Sequence, residues 1–481
     1  METSEKFNKY FIALDLVEDG NDIEVKNIKR HELPPNITSK MLYSDIVKIA
    51  WPSVVELTLT QLASMVDLMM VGGLGAWAIT SVGLTVQPKF LLMVVFMALN
   101  VGTTAMVARY KGAGNPEKAN LILRQALMLT LIFSVITSIL GYVSAEKLIH
   151  FMGAAEEKTL QGGTTYLKIQ MIGFTFMSLT STITAALRGV GNSRTALIYN
   201  MTSNIVNVFL NYLLIEGHFG FPRWEVAGAS LATIIGQFIA FVFALIYIMK
   251  GDHYLHLHLK DGFKPEPHSL KQIITIGVPA MMEQLLMRAG VIIYSKTIAG
   301  LGTVPYAVHQ ICMNIQAMSF MNGQGFAVSA TSLTGQSLGK NRPDMAHAYV
   351  HRTRRLGMLV SIILGAIFVF WGGNIVSLYN DSPDIVSQGA RIMMFVGFTQ
   401  PLQSSQFILS GSLRGAGDTR AIAIITFVTV LLIRPLLAIY LINVWRMGLE
   451  GAWFAFIVDQ IIRSALVLIR YNSGKWKSIK V

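Results

Sequence analysis

The 481 residues contain a single cysteine, Cys312, which excludes an intramolecular disulfide and a zinc site built from cysteines. Charge is scarce as well. Only 14% of the residues are Asp, Glu, Lys or Arg against 53% hydrophobic, a balance foreign to an ordinary soluble domain. No HExxH pattern and no pair of catalytic carboxylates at an interface is found, which argues against an intramembrane enzyme. Residues 1–43 mix both charge signs without a long apolar stretch, so they do not read as a secretory signal. They are expected to form a cytoplasmic tail, mobile or with Phe7, Tyr10, Phe11, Leu14 and Val17 on one face of a helix lying on a membrane. Acidic residues number 27 against 39 basic ones, yet the basic residues lie in short gaps between apolar runs. The excess charge of +12 therefore reads as membrane topology and not as a nucleic-acid surface.

What the chain has is apolar length. Twelve runs predict membrane spans at 46–72, 79–108, 120–144, 163–187, 195–216, 226–249, 270–299, 305–336, 347–370, 386–412, 420–442 and 449–470. Gaps after even-numbered spans carry most of the lysine and arginine (Arg109, Lys111, Lys118; Lys340, Arg342, Arg352; Lys475, Lys477), which places both termini in the cytoplasm. The fold class expected is an all-α polytopic membrane protein of two pseudo-symmetric six-helix bundles. Their expected extents are 44–250 and 270–471, joined by a cytoplasmic linker at 251–269 and followed by a short tail at 472–481.

The second half repeats the first. Pro52 and Pro279 are 279 − 52 = 227 residues apart, and the same offset joins Glu56 to Glu283 and Gly112 to Gly339. LRGVGNSR from Leu187 matches LRGAGDTR from Leu413 at 226, and Gly228 and Gln237 match Gly451 and Gln460 at 223. Six spans per copy make the repeats parallel, related by an axis along the membrane normal.

The first span carries a polar face in an otherwise apolar rod: Glu56, Thr60, Ala63 with Ser64, and Asp67 fall at helical spacing. A carboxylate at membrane depth costs about 2.5–3.5 kcal/mol and persists where it faces a cavity or a partner, which makes Asp67 the first functional candidate. The fifth span repeats the spacing with Asn200, Asn204, Asn207 and Asn211. Four carboxamide oxygens beside one carboxylate suit a hard cation such as Na⁺; the plainer reading is interhelical hydrogen bonding. At the 226 offset the stripe is lost (Thr426, Val430, Ile433, Leu437), and Tyr294 replaces Asp67 at 227. The asymmetry favours a site in the first bundle. Glu56, Thr60, Glu283, Arg288 and Tyr294 are candidates for lining a substrate cleft, whereas Asp459 and Arg463, four apart, are expected to pair along one helix. The arginines of the LRGxG turns are expected to dock on lipid headgroups. His253, His256 and His258 of the linker read as interfacial rings, with metal binding as the sharper alternative.

The pattern of Pro52 and Asp67 followed by MVGGLG, AVHQI at 307–311, GQSLGKNRP from Gly335 and the paired LRGxG turns together resemble the multidrug and toxic compound extrusion (MATE) transporters, and most nearly their DinF-like branch. The resemblance runs from about Ile46 onward. It implies two six-helix lobes exporting cationic or amphipathic small molecules in antiport with Na⁺ or H⁺ by alternating access. By position, Asp67 matches the branch's coupling aspartate, Asn207 and Asn211 fall where it carries an Asn and an Asp, and Thr233 and Tyr166 match further polar members of that site. The seventh-span glutamate of other branches is here Met287. Expected partners are the lipid bilayer and small-molecule substrates, with no nucleic acid, the chain acting as a monomer; no cofactor is expected beyond the coupling ion, Na⁺ or H⁺, the former held at Asp67. The alternative is a flippase for a lipid-linked precursor, using Arg288, Arg434 and Arg463 for phosphate.

Overall fold

The computed structural model describes residues 12–20, 33–34, 36–154, 156–251, 253–258 and 262–479. Among them no strand occurs, and twelve long helices follow one another: α1 (Ser39–Gly72), α2 (Ala76–Gly112), α3 (Pro116–Phe151), α4 (Glu157–Gly189), α5 (Ser193–Leu214), α6 (Glu225–Met249), α7 (Pro267–Ala299), α8 (Thr303–Gly339), α9 (Pro343–Ser377), α10 (Pro383–Gly415), α11 (Thr419–Asn443) and α12 (Gly448–Asn472). Their order is that of the twelve predicted spans. Most run several residues further, because capping and interfacial residues extend the helix beyond the apolar stretch. Asn115 shows how: its side chain accepts from Lys118 N–H at 3.0 Å, and Pro116, lacking an N–H, opens α3.

Nine of the described helices are long and apolar enough to cross a membrane; α5, α8 and α10 fall short of that hydropathy. Their polarity is the reason. The asparagine stripe occupies α5, and α10 buries Gln400, Gln403, Ser404, Ser405, Gln406, Ser410 and Ser412.

The repeat is visible in backbone geometry. After α4, Gly191 (φ 87°) sits in the left-handed region, with Gly191 N–H on Arg188 O (3.0 Å) and Asn192 N–H on Leu187 O (2.8 Å). After α10, Gly417 (φ 86°) repeats it, with Gly417 N–H on Arg414 O (3.0 Å) and Asp418 N–H on Leu413 O (2.8 Å). Both are helix-terminating motifs that glycine alone adopts without a steric cost.

The chain divides into two compact units. Among the described residues, unit 1 comprises Val55–Gly277, and unit 2 joins Ile12–Val54 to the residues from Val278 onward. These divisions differ from boundaries at 44 and 250–269, because α1 and α7 each change unit near their internal proline, Pro52 and Pro279. In unit 1, α4 packs on α2, α3 and α6, and α5 on α6, with Phe96 and Phe174 edge to face at 5.3 Å. In unit 2, α10 packs on α8, α9 and α12. Gly365 of α9 and Gly397 of α10 face each other so closely that a Cβ on either would lie 2.5–2.6 Å from the other's carbonyl oxygen.

Two expectations change here. Ile12, Leu14 and Val17 are neither mobile nor laid on a membrane but buried in unit 2 against Ile46, Ile49, Phe326 and Tyr349. Polar contacts hold them. Asp45 accepts from Ala13 N–H (2.7 Å) and Tyr349 O–H (2.9 Å), and Lys340 Nζ donates to Leu14 O (3.2 Å). Phe7, Tyr10 and Phe11 lie outside the described residues. The linker also packs onto unit 1. His256 N–H donates to Asn120 Oδ1 (2.8 Å), Gln125 donates to Lys264 O (2.8 Å), and His253 stacks on Tyr247 at 4.1 Å.

Candidate functional site

Within unit 1 the polar face of α1 meets the asparagine stripe of α5 rung by rung. Asn200 Nδ2 donates to Glu56 Oε1 (2.6 Å), Asn204 Nδ2 to Thr60 Oγ1 (3.3 Å) and Asn211 Nδ2 to Asp67 Oδ1 (2.6 Å). Each pair is 144 residues apart (200 − 56, 204 − 60, 211 − 67), which two parallel helices in register require. The stripe therefore belongs to α1, and through it to Asp67.

The fourth asparagine faces the same carboxylate. Turned with its NH₂ toward Asp67, Asn207 donates to both carboxylate oxygens (2.8 and 3.1 Å), and its own oxygen accepts from Thr233 (3.2 Å); the reverse orientation leaves only a 3.2 Å bond to Thr233 Oγ1. The first orientation satisfies more groups. Tyr166, whose carbonyl accepts from Ser230 Oγ (2.9 Å), interacts electrostatically with Asp67. Asn211 is fully buried, and its Oδ1 has no hydrogen-bond partner within the protein. Asp67, Asn207, Asn211, Thr233 and Tyr166 thus converge; Asn204 stands one rung away, on Thr60.

One member escapes the sequence reading. Lys89 lies inside α2, directly after Pro88, and interacts electrostatically with Asp67. Its Nζ donates to Gln170 Oε1 (2.9 Å); Gln170 Nε2 donates to Ser230 Oγ (3.2 Å), and Ser230 Oγ to Tyr166 O (2.9 Å). A lysine amid the apolar run 79–108 was the available signal.

The other cleft candidates are placed differently. Glu56 is buried between Asn200 and Arg188, whose Nη2 lies 2.9 Å from Glu56 Oε2. Glu283 is buried on Arg414 Nη2 at 2.5 Å. These pairs are repeat mates (283 − 56 = 227, 414 − 188 = 226). The turn arginines Arg188 and Arg414 therefore neutralise a carboxylate within their own unit instead of docking on headgroups. Tyr294 is buried in the core of unit 2 with its O–H on Ala452 O (2.9 Å), and Arg288 is half-buried. Asp459 and Arg463 pair as expected (3.2 Å), but Arg434 joins them on the same carboxylate.

That last residue also corrects the register of the repeat. A π-helical stretch at Phe427–Ile433 winds one additional residue into α11, so that after it the offset returns to 227 and Arg434 replaces Asn207 (207 + 227 = 434). Contacts agree. Asn207 touches Asp67 and Thr233, and the Arg434 guanidinium lies over Tyr294 (5.7 Å), the mate of Asp67, and Phe456 (4.8 Å), the mate of Thr233 at 223. Where unit 1 has an anion among amides, unit 2 has a cation among rings.

A repeat of long apolar helices with a half-buried carboxylate among amides inside one bundle is an arrangement suited to a membrane solute transporter. Comparison with known proteins agrees with the fold and the repeat: the MatE family model matches twice, over residues 52–213 and 279–440. The chain belongs to the MATE transporter family. It is 29% identical to the probable multidrug resistance protein NorM of Thermotoga maritima, over 90% of this chain and 93% of that one. It is 24% identical to the uncharacterized transporter YisQ of Bacillus subtilis, over 90% and 94%. Among solved structures, an outward-facing multidrug resistance MATE family transporter of the MOP superfamily superposes with a TM-score of 0.84 at 21% identity, over 90% of this chain and 97% of that one.

Proposed function

We propose that the protein exports cationic or amphipathic small molecules in antiport with a monovalent cation, Na⁺ or H⁺, which binds at Asp67. The observation that carries this reading is the Asp67 carboxylate held by Asn207 and Asn211 inside a membrane bundle. A carboxamide donates its NH₂ to a bare carboxylate and, by rotating about its last torsion, offers its oxygen to a cation. Asn211 Oδ1, buried and without a partner, is such an oxygen. A proton on Asp67 would instead remove the carboxylate charge, weaken the amide donations and turn one carboxyl oxygen into a donor. Either event alters the rungs between α1 and α5, and an ion shifts a conformational equilibrium only through such a difference.

Beside the site, a groove of about 620 Å³ is lined by Leu59, Ala63, Met70, Met201, Asn204 and Phe209, among others. Its apolar, methionine-bearing walls suit amphipathic molecules of varied shape. The kinship with NorM of Thermotoga maritima supports multidrug export. The flippase reading loses support, because Arg434 and Arg463 are buried on Asp459 and not presented to a phosphate.

The test is substrate efflux from proteoliposomes under a Na⁺ gradient at equal pH or a pH gradient without Na⁺. Asp67→Asn is expected to abolish the acceleration by the coupling ion with insertion intact. Wild-type acceleration in that variant would sink the reading.

A further inference from the structure

Lys89 has no place in the mechanism above, yet a lysine at that depth is costly. It lies 13 residues into α2, about 20 Å along the helix axis, within a stretch otherwise suited to the hydrocarbon core. Its surroundings are built. Gln170, itself buried, accepts from the ammonium and donates to Ser230 of α6; Thr233, one helical turn further along α6, bonds Asn207, which faces Asp67. Among the described residues, the charged or titratable groups that interact with the Asp67 charge are Lys89 from α2 and Tyr166 from α4. With tyrosine neutral, carboxylate and ammonium sum to zero.

Electroneutrality decides what an added cation meets. A site of net charge −1 draws a monovalent cation strongly in a medium of low dielectric; a site of net charge zero does so far less. Unit 2 shows the limiting case: at the equivalent place Arg434 sits over Tyr294 and Phe456, shares Asp459 with Arg463, and the protein supplies the cation itself.

We propose that Lys89 is the tethered counter-cation of the Asp67 site. It balances the carboxylate when the coupling ion is absent and thereby sets the ion concentration at which the site fills. This rests on the reading of Asp67 as the coupling site. Lys89 touches neither ion nor substrate in this account and is a positioning residue acting by charge. Its loss should strengthen ion binding, whereas loss of a packing residue would weaken it.

The experiment is the cation dependence of efflux from proteoliposomes, with Na⁺ binding to the purified full chain by calorimetry. Lys89→Met is expected to lower the half-maximal Na⁺ or H⁺ concentration by about tenfold or more. Lys89→Arg, which keeps the charge, should stay near wild type. An unchanged midpoint in folded Lys89→Met, or the same loss in the Met and Arg variants, overturns the proposal. Where Lys89→Met does not fold, Lys89→Gln replaces it; failure of both to fold marks Lys89 as a packing residue and also overturns it. Asp67→Asn separates the two readings. If it keeps wild-type ion dependence, the coupling reading falls; if it loses ion dependence while Lys89→Met matches wild type, only the role of Lys89 falls.

Discussion

At the scale of the residue, the decisive feature is that the carboxylates within the long helices of this protein have different company. Glu56 and Glu283 each face the arginine of an LRGxG turn, so their charge is neutralised and their role is to hold α1 and α7 in place. Asp67 faces amides and a lysine beyond direct pairing distance, which leaves its charge available to an ion. Removing one partner of a buried pair strands the other charge. Glu283→Ala is accordingly expected to destabilise the protein by about 3–5 kcal/mol, seen as a lower melting temperature in detergent, with partial recovery in the double variant Glu283→Gln/Arg414→Gln. At the surface, Glu266 Oε2 accepts from Ser269 N–H (2.6 Å) and caps α7; the Ser269 side chain, and then its N–H, hold the Glu266 carboxyl below the ordinary 4.5. A depressed carboxyl stabilises the fold above its unfolded value and loses that contribution as pH falls through its folded value. Glu266→Gln should therefore melt earlier than wild type at neutral pH, and the difference should close in acid below 4.5.

At the scale of the element, helix surfaces decide which residues meet. The α9–α10 crossing depends on two glycines whose backbones nearly touch, so Gly397→Leu leaves the side chain no room. A cost of about 1–3 kcal/mol is expected, measured by thermal melting, with Gly397→Ala milder. The π stretch in α11 shows how one additional residue exchanges an amide for a guanidinium at equivalent places of two repeats. Counting at a constant offset assigns that place to Ile433, since a register shift inside a helix leaves no mark in composition.

At the scale of the whole molecule, each unit borrows the first part of the other's leading helix, and the segment Ile12–Val17 is packed into unit 2. Leu14, 2% exposed, is part of that core. Leu14→Ala should cost about 2–5 kcal/mol of stability in melting experiments, an outcome a mobile tail would not show. The segment reads in sequence as a mobile or membrane-lying tail because its apolar residues are few and flanked by charge, whereas burial depends on what lies opposite: Ile46, Ile49 and Phe326.

The amino-acid sequence by itself determined the membrane class, the twelve spans, the repeat and the spacing of both polar stripes, because hydrophobic length and helical periodicity are local properties of a chain. Asp67 and the four asparagines were legible for the same reason: polar groups in an apolar run stand out. Only the tertiary structure decided that α1 and α5 meet at a constant separation of 144, that Lys89 arrives from α2, and that the turn arginines fold back on glutamates. Periodicity fixes which face of a helix is polar. It leaves open which neighbour that face meets and at what rotation, and those are set by the packing of all the helices together.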